Sequence, residues 1–111
     1  MPRVPSNVVL HKGRFSDTIP QWLSTVAGPV AFIHVDCDIY SSTVEVLEGL
    51  YARMQPGTVL LFDEYFNYPN WEQHEFRAWR ELVEHRSLSY EYLAFARQQV
   101  ALRVHATGTS R

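Results

Sequence analysis

The stretch His34-Val35-Asp36-Cys37-Asp38-Ile39-Tyr40 decides the fold, because an apolar run ends there abruptly in two carboxylates. A second apolar run ends in the same way at Phe62-Asp63-Glu64-Tyr65. Nearly continuous apolar runs are typical of strands in a parallel sheet that is covered on both faces. Two such strands with acids at their carboxyl ends predict a divalent cation at the edge of a sheet.

Composition limits the classes of partner. The chain has 111 residues, a formal charge of −2 and one cysteine, Cys37. This length predicts a single domain, residues 1–111, and the weak charge gives no electrostatic reason to expect nucleic acid or an anionic membrane as a partner. No apolar run approaches the roughly 20 residues that span a bilayer. The N-terminus lacks the apolar core of a signal peptide, and the expected location is therefore cytoplasmic.

On both sides of residues 34–40, segments with a strand pattern alternate with segments with a helix pattern. The predicted strands are residues 7–12, 30–35, 58–62, 89–96 and 100–105. The predicted helices start at an N-cap in Ser16-Asp17 with Pro20 in the first turn, at a capping box Ser42-Thr43-Val44-Glu45, and at Asn70. This alternation predicts an α/β fold with a parallel sheet, right-handed crossovers, a final antiparallel hairpin around Arg97-Gln98-Gln99 and a disordered tail over 106–111.

The third helix is expected to run to about His85 with two distinct faces. Its apolar residues recur at helical spacing and predict the buried face: Phe76, Trp79, Leu82 and Val83. Its charged residues predict the solvent-exposed face: Glu72, Glu75, Arg80, Glu81 and Glu84.

The acids at the two strand ends carry the chemistry. Asp36 and Asp38 point the same way if the chain stays extended, with Cys37 opposite, whereas Asp63 and Glu64 need a turn between them to face one site. Hard oxygen ligands suit Mg²⁺. The same acids could instead cap the following helices or pair with an arginine.

Two further interpretations stay open at the level of the residues. His34 lies inside the first apolar strand, where it is either a buried, hydrogen-bonded histidine or a base. The aromatic residues after the second strand either belong to the core or form the wall of a pocket: Tyr65, Phe66, Tyr68 and Trp71.

Three segments together resemble one known family: H-V-D-C-D-I-Y-S-S-T (34–43), M-Q-P-G-T-V-L-L-F-D-E-Y (54–65) and F-N-Y-P-N-W-E (66–72). They look like the macrocin O-methyltransferases, class I S-adenosylmethionine-dependent enzymes that methylate sugar hydroxyls of antibiotics. The resemblance covers roughly residues 8–105. It departs at Glu64, where the family commonly has a second Asp.

The resemblance implies a role for several residues. The Mg²⁺ ligands would be Asp36, Asp63 and Glu64, and the general base would be Asp38 or, less readily, His34. Near the adenine of S-adenosylmethionine would lie Gly13, Phe15 and Ser16. The acceptor, a hydroxyl of a sugar or polyketide glycoside, would be bordered by Tyr40, Tyr65, Tyr68 and Trp71.

The resemblance also implies a Rossmann-like class I methyltransferase sheet that is incomplete. Residues 7–12 correspond to the family's third strand, and the hairpin to its last two. The first two strands and the glycine-rich loop have no counterpart, so the expectation is a C-terminal part of the enzyme with a poorly ordered segment 7–12. Its exposed sheet edge would favour homo-oligomers. Two alternatives are a catalytically inactive association module and a metal-dependent phosphoesterase.

Overall fold

The computed structural model describes residues 6–37 and 39–107. Its four strands are β1 (Phe32–Val35), β2 (Val59–Phe62), β3 (Ser89–Ala96) and β4 (Gln99–Ala106). Its helices are α1 (Phe15–Thr25), α2 (Tyr40–Leu50) and α3 (Glu75–Arg86), with single 3₁₀ turns at Tyr51–Arg53 and Trp71–Gln73. Asp38 and residues 108–111 of the predicted tail lie outside the described residues.

The strands form one mixed sheet in the order β1-β2-β4-β3. β1 and β2 are parallel, while β4 is antiparallel to both β2 and β3. From α1 onward, the predicted alternation of helices and strands and the predicted hairpin are therefore confirmed. α2 is the crossover between the parallel strands, as the rule for such connections requires.

One face of the sheet carries the core. Alternate residues of three strands point to it and are buried: Ile33, Val35, Leu60, Phe62, Val100, Leu102 and Val104. The same cluster includes Leu47 of α2 and Ala78, Trp79 and Leu82 of α3. Each fully buried large side chain stabilises the fold by about 1.5–3 kcal/mol relative to exposure.

The other face of β1 is open in the described part of the chain. Phe32 is 56% exposed, and the side chain of His34 is 45% exposed. The expectation of a strand covered on both faces is therefore wrong for β1 within residues 6–37 and 39–107, because its side chains alternate between core and surface.

The predicted strand over residues 7–12 is also wrong. This segment pairs with no strand in the described part of the chain, and Val9 is 73% exposed. A strand needs a neighbour, because its backbone donors and acceptors are otherwise satisfied only by water.

All three predicted helix starts are displaced. α1 begins at Phe15, so Ser16 and Asp17 lie in its first turn, and Pro20 falls inside the helix. α2 begins at Tyr40 and not after Ser42. The reason is a tight turn: Ile39 N–H donates to the Cys37 carbonyl (2.8 Å), and the Thr43 hydroxyl donates to the Ile39 carbonyl (2.8 Å).

The start of α3 also differs from the prediction. Asn70 has φ +64° and precedes the 3₁₀ turn, and the side chain of Asn70 makes no capping hydrogen bond. His74 is the residue that precedes α3. A left-handed Asn at a turn is an ordinary alternative to an N-cap, because its short amide tolerates positive φ.

Within the described ranges, no helix combines the length and the apolar composition that crossing a membrane requires.

Candidate functional site

The strand register sets three polar residues side by side at one edge of the sheet. Val35 pairs with Phe62 in the parallel ladder, and Asp63 N–H donates to the Val35 carbonyl at 3.0 Å. Asp36 and Asp63 therefore follow neighbouring strand ends. On the other side Phe62 pairs with Val100, which brings Gln99, the first residue of β4, opposite Asp63.

Asp63 is the centre of this edge. Gln99 Nε2 donates to Asp63 Oδ1 at 2.7 Å, and His34 Nε2 lies 3.7 Å from the same oxygen. The Asp63 side chain is 30% exposed. The His34 side chain is 45% exposed, so the interpretation of His34 as a buried core histidine is wrong.

Glu64 is held through its backbone. Its N–H donates to Glu75 Oε1 at 3.0 Å, and its carbonyl accepts a hydrogen bond from the Tyr68 hydroxyl at 3.0 Å. Glu75 is fully buried, at 0% exposure. The expectation that Glu75 lies on the wet face of α3 is wrong, because Glu75 is the first helical residue and turns inward to accept from the preceding loop.

The described residues contain no group of three or more His, Cys, Asp or Glu side chains that could hold a metal ion. Asp38 lies outside them. Two predicted ligands, Asp36 and Asp63, nonetheless end adjacent parallel strands. This donor set fits Mg²⁺, which is usually held by one or two carboxylates and completes its shell with water or substrate oxygens.

An open groove of about 430 Å³ runs between α1, β1 and α2. Phe15 lines it near the start of α1, and His34 and Asp36 line it at the carboxyl end of β1. Gly13 and Ser16 flank Phe15, and Gly13 has φ +143°. The groove therefore brings a residue predicted to lie near the cofactor together with residues predicted to act on the acceptor.

The predicted acceptor residues separate into three environments: the core, the loop between β2 and α3, and the surface of α3. Tyr65 is only 3% exposed and packs as core against Phe62 and Phe76. Burial, and then its hydrogen bond with the Tyr92 hydroxyl (2.9 Å), raises the pKa of Tyr65 well above its usual value. For Tyr65 the core interpretation is therefore the one that the structure supports.

Tyr68 and Trp71 belong to the loop between β2 and α3. The Tyr68 ring is stacked on His74 with centroids 6.1 Å apart, and Trp71 meets Phe76 edge-on at 4.8 Å. Both rings are half-buried and therefore retain an accessible edge.

Tyr40 contacts α3. Its hydroxyl donates to Glu81, and the Arg77 guanidinium lies 4.4 Å from the centre of its ring. The hydrogen bond to Glu81 is the main cause of a raised pKa of Tyr40. These contacts tie the first turn of α2 to the outer face of α3.

Sequence reasoning missed Gln99 and Glu75 as residues of this site. The signal for Gln99 was present in the predicted hairpin, because a strand antiparallel to β2 must start at the edge where β2 ends. The sequence around Glu75 carries no comparable signal, since a Glu in the first turn of a helix is ordinarily exposed.

Comparison with known proteins gives a consistent result. The family model of Macrocin-O-methyltransferase (TylF) matches residues 4–90. A protein of Streptomyces olivaceus, 8-demethyl-8-(2,3-dimethoxy-alpha-L-rhamnosyl)-tetracenomycin-C 4'-O-methyltransferase, is 40% identical over 53 residues, which are 48% of this chain and 19% of that protein.

Solved structures agree with the sequence comparison. CalS11, a TDP-rhamnose 3'-O-methyltransferase of calicheamicin biosynthesis, superposes with a TM-score of 0.64 at 27% identity, over 83% of this chain and 39% of that chain. The O-methyltransferase NovP gives a TM-score of 0.67 at 25% identity, over 84% of this chain and 36% of that chain. The chain thus spans well under half the length of these relatives.

Proposed function

The chain belongs to the macrocin-O-methyltransferase family, and we propose that it forms the acceptor-side part of an S-adenosylmethionine-dependent O-methyltransferase. The proposed substrate is a hydroxyl of a sugar, or of another small natural product, in antibiotic biosynthesis. The named relatives, a rhamnosyl tetracenomycin methyltransferase and a TDP-rhamnose methyltransferase, support this substrate class.

The groove carries the proposal. Phe15 lines it from α1, and His34 and Asp36 line it from the carboxyl end of β1. In an open α/β sheet, ligands bind outside the carboxyl ends of the strands. Because the groove reaches that edge, a molecule bound in it lies beside Asp36. S-adenosylmethionine would supply the methyl group there, with Gly13, Phe15 and Ser16 near its adenine.

The carboxylates at the ends of β1 and β2 would activate the hydroxyl that receives the methyl group. Asp36 and Asp63, with Glu64, are the residues proposed to hold Mg²⁺, and a bound Mg²⁺ would supply positive charge that lowers the pKa of a nearby hydroxyl. The protein's own contribution is alignment, since Asp63 is fixed by Gln99 and the Glu64 backbone is fixed by Glu75. Alignment of reacting groups is itself a large part of catalysis in methyl transfer.

The hydroxyl that receives the methyl group must lose its proton to a general base within hydrogen-bond reach. Asp38 is the first proposed base, and His34 is the second. His34 Nε2 lies 3.7 Å from Asp63 Oδ1, so a proton taken up by His34 would be paired with a carboxylate. Tyr68 and Trp71 are the aromatic residues proposed to border the acceptor. The family match disfavours the phosphoesterase alternative.

The proposal is tested by titrating the chain with S-adenosylmethionine in the presence and absence of Mg²⁺, followed by transfer of a radiolabelled methyl group to TDP-rhamnose or a rhamnosyl glycoside. We expect binding heat that Phe15→Ala weakens. Absence of heat together with concentration-dependent self-association in sedimentation would favour the association-module function instead. Heat without methyl transfer to either acceptor would contradict the proposed substrate class.

A further inference from the structure

We propose that Gln99 is a positioning residue for Asp63, holding its carboxylate in one orientation at the sheet edge where Asp36 also lies. The inference deepens the proposed function and rests on it. Gln99 Nε2 donates to Asp63 Oδ1 at 2.7 Å, and the His34 contact falls on the same oxygen. Both contacts therefore hold the carboxylate through Oδ1.

Backbone pairing dictates this contact. Phe62 and Val100 are partners in the antiparallel ladder, so Asp63, which follows β2, lies opposite Gln99, the first residue of β4. Residues directly opposite each other in an antiparallel pair have Cβ atoms about 4.5–5.5 Å apart, which suits a direct side-chain hydrogen bond. The half-buried Gln99 amide thus has a strand-defined position.

The chemistry of the amide suits the role. An ionised carboxylate only accepts hydrogen bonds, so the amide nitrogen of Gln99, and not its oxygen, must face Asp63. The amide is neutral, whereas Lys or Arg at position 99 would compensate the negative charge of Asp63. Gln99 therefore orients the carboxylate and leaves its charge for a cation. Such outer-shell partners fix the orientation of metal ligands in general.

The same hairpin turn also fixes the chain after the acid pair. The Gln98 carbonyl accepts hydrogen bonds from the N–H groups of Tyr65 (2.8 Å) and Phe66 (3.4 Å). The turn that carries Gln98 and Gln99 has Arg97 in the left-handed region, at φ +56°. The β3–β4 turn therefore holds the segment after β2 in two ways. The Gln99 side chain binds Asp63, and the Gln98 carbonyl binds the backbone of Tyr65 and Phe66.

The experiment compares Gln99→Met with Gln98→Met in the 111-residue chain. Met at 99 keeps the length of the side chain and removes its donor. Met at 98 is the matched control, because Gln98 acts through its carbonyl and its side chain is exposed. Affinity for Mg²⁺ by calorimetry and for Mn²⁺ by electron paramagnetic resonance are the binding readouts. Should Gln99→Met fail to fold, Gln99→Ala replaces it.

We expect Gln99→Met to weaken cation binding by about tenfold or more, as loss of an outer-shell partner typically does. Gln98→Met should leave cation binding unchanged, and thermal unfolding of both variants should match the parent chain. Cation affinity that is equal in Gln99→Met and the parent overturns the inference while leaving the proposed function intact.

If the parent chain binds neither cation, the result counts against the proposed Mg²⁺ role. A second readout then tests the positioning of Asp63 by Gln99 without a cation. Side-chain couplings of Asp63 measured by NMR report its χ1 rotamers directly. One rotamer in the parent and rotamer averaging in Gln99→Met support positioning by Gln99. Equal averaging in both proteins overturns it.

Discussion

Gly49 of α2 lies directly against Ile19 of α1: a methyl group added at Gly49 would come within 2.9 Å of Ile19 Cγ2. Real Cβ atoms do not approach that closely, so α1 can pack at this distance only because position 49 lacks a side chain. Ile19 is buried at 9% exposure, and it lines the groove together with Phe15. The contact therefore fixes how closely α1 approaches α2 beside the proposed ligand groove.

Gly49→Ala is expected to lower the free energy of unfolding by about 1–3 kcal/mol, the usual cost of overpacking. Urea denaturation checks this. Glu45→Ala, an exposed change on the same helix, should alter stability by less than about 0.5 kcal/mol. In the Ile19→Ala background the Gly49→Ala penalty should largely disappear, and a fully additive double mutant would contradict the contact.

Arg53 holds the end of α1 against the rest of the domain. Its guanidinium donates to the Leu23 carbonyl at 2.8 Å and to the Gly28 carbonyl at 3.0 Å. Arg53→Met should destabilise the fold by about 1–3 kcal/mol, since two charge-assisted hydrogen bonds are lost. Hydrogen exchange should rise in α1 first. Arg103→Met, which breaks an exposed pair with Glu91, should leave exchange in α1 unchanged.

Glu75 Oε1 accepts a hydrogen bond from the Glu64 N–H at 3.0 Å. Glu75→Met should cost about 1–3 kcal/mol, because it removes a part-buried hydrogen bond to a charged acceptor. Glu75→Gln retains an acceptor oxygen and should cost less. Chemical denaturation distinguishes them, and equal losses for Met and Gln would show that the charge of Glu75, and not its acceptor, is what matters.

The buried Tyr65 phenol makes stability depend on alkaline pH. In the unfolded chain Tyr65 ionises near pH 10, whereas burial raises its pKa in the folded protein. The folded state therefore holds the proton more tightly, so the contribution is complete below pH 10 and is lost as pH rises above it. Tyr65→Phe should flatten the decline in unfolding free energy between pH 9 and 11. Parallel pH curves for the two proteins would contradict this.

Asp36 follows β1 and Asp63 follows β2, at the ends of neighbouring parallel strands. In the proposed function Asp36 is a Mg²⁺ ligand, so Asp36→Asn should weaken Mg²⁺ binding by more than tenfold, because the side chain loses its charge. Calorimetry measures it. Glu84→Gln, on the exposed side of α3, should retain the parent affinity, and an equal loss in both variants would indicate a diffuse charge effect and not a site.

Much of the fold was predictable because its signals are local. The runs that form β1 and β2 are short, apolar and bounded by turn residues, and the hairpin follows from two alternating segments around Arg97. Helix starts were less predictable. Ser42 and Asn70 have capping chemistry, yet the tight turn at Cys37–Ile39 begins α2 earlier and the left-handed Asn70 delays α3.

The sequence by itself determined that acids end two apolar strands joined by a helix, because apolar runs, helical spacing and side-chain alternation are local patterns. Only the tertiary structure decided what surrounds them. Gln99 reaches Asp63 through antiparallel register, Glu75 turns inward to the Glu64 N–H, and residues 7–12 form no strand for want of a partner. Each depends on segments distant in the chain, and local propensity carries no information about which distant groups satisfy a hydrogen bond.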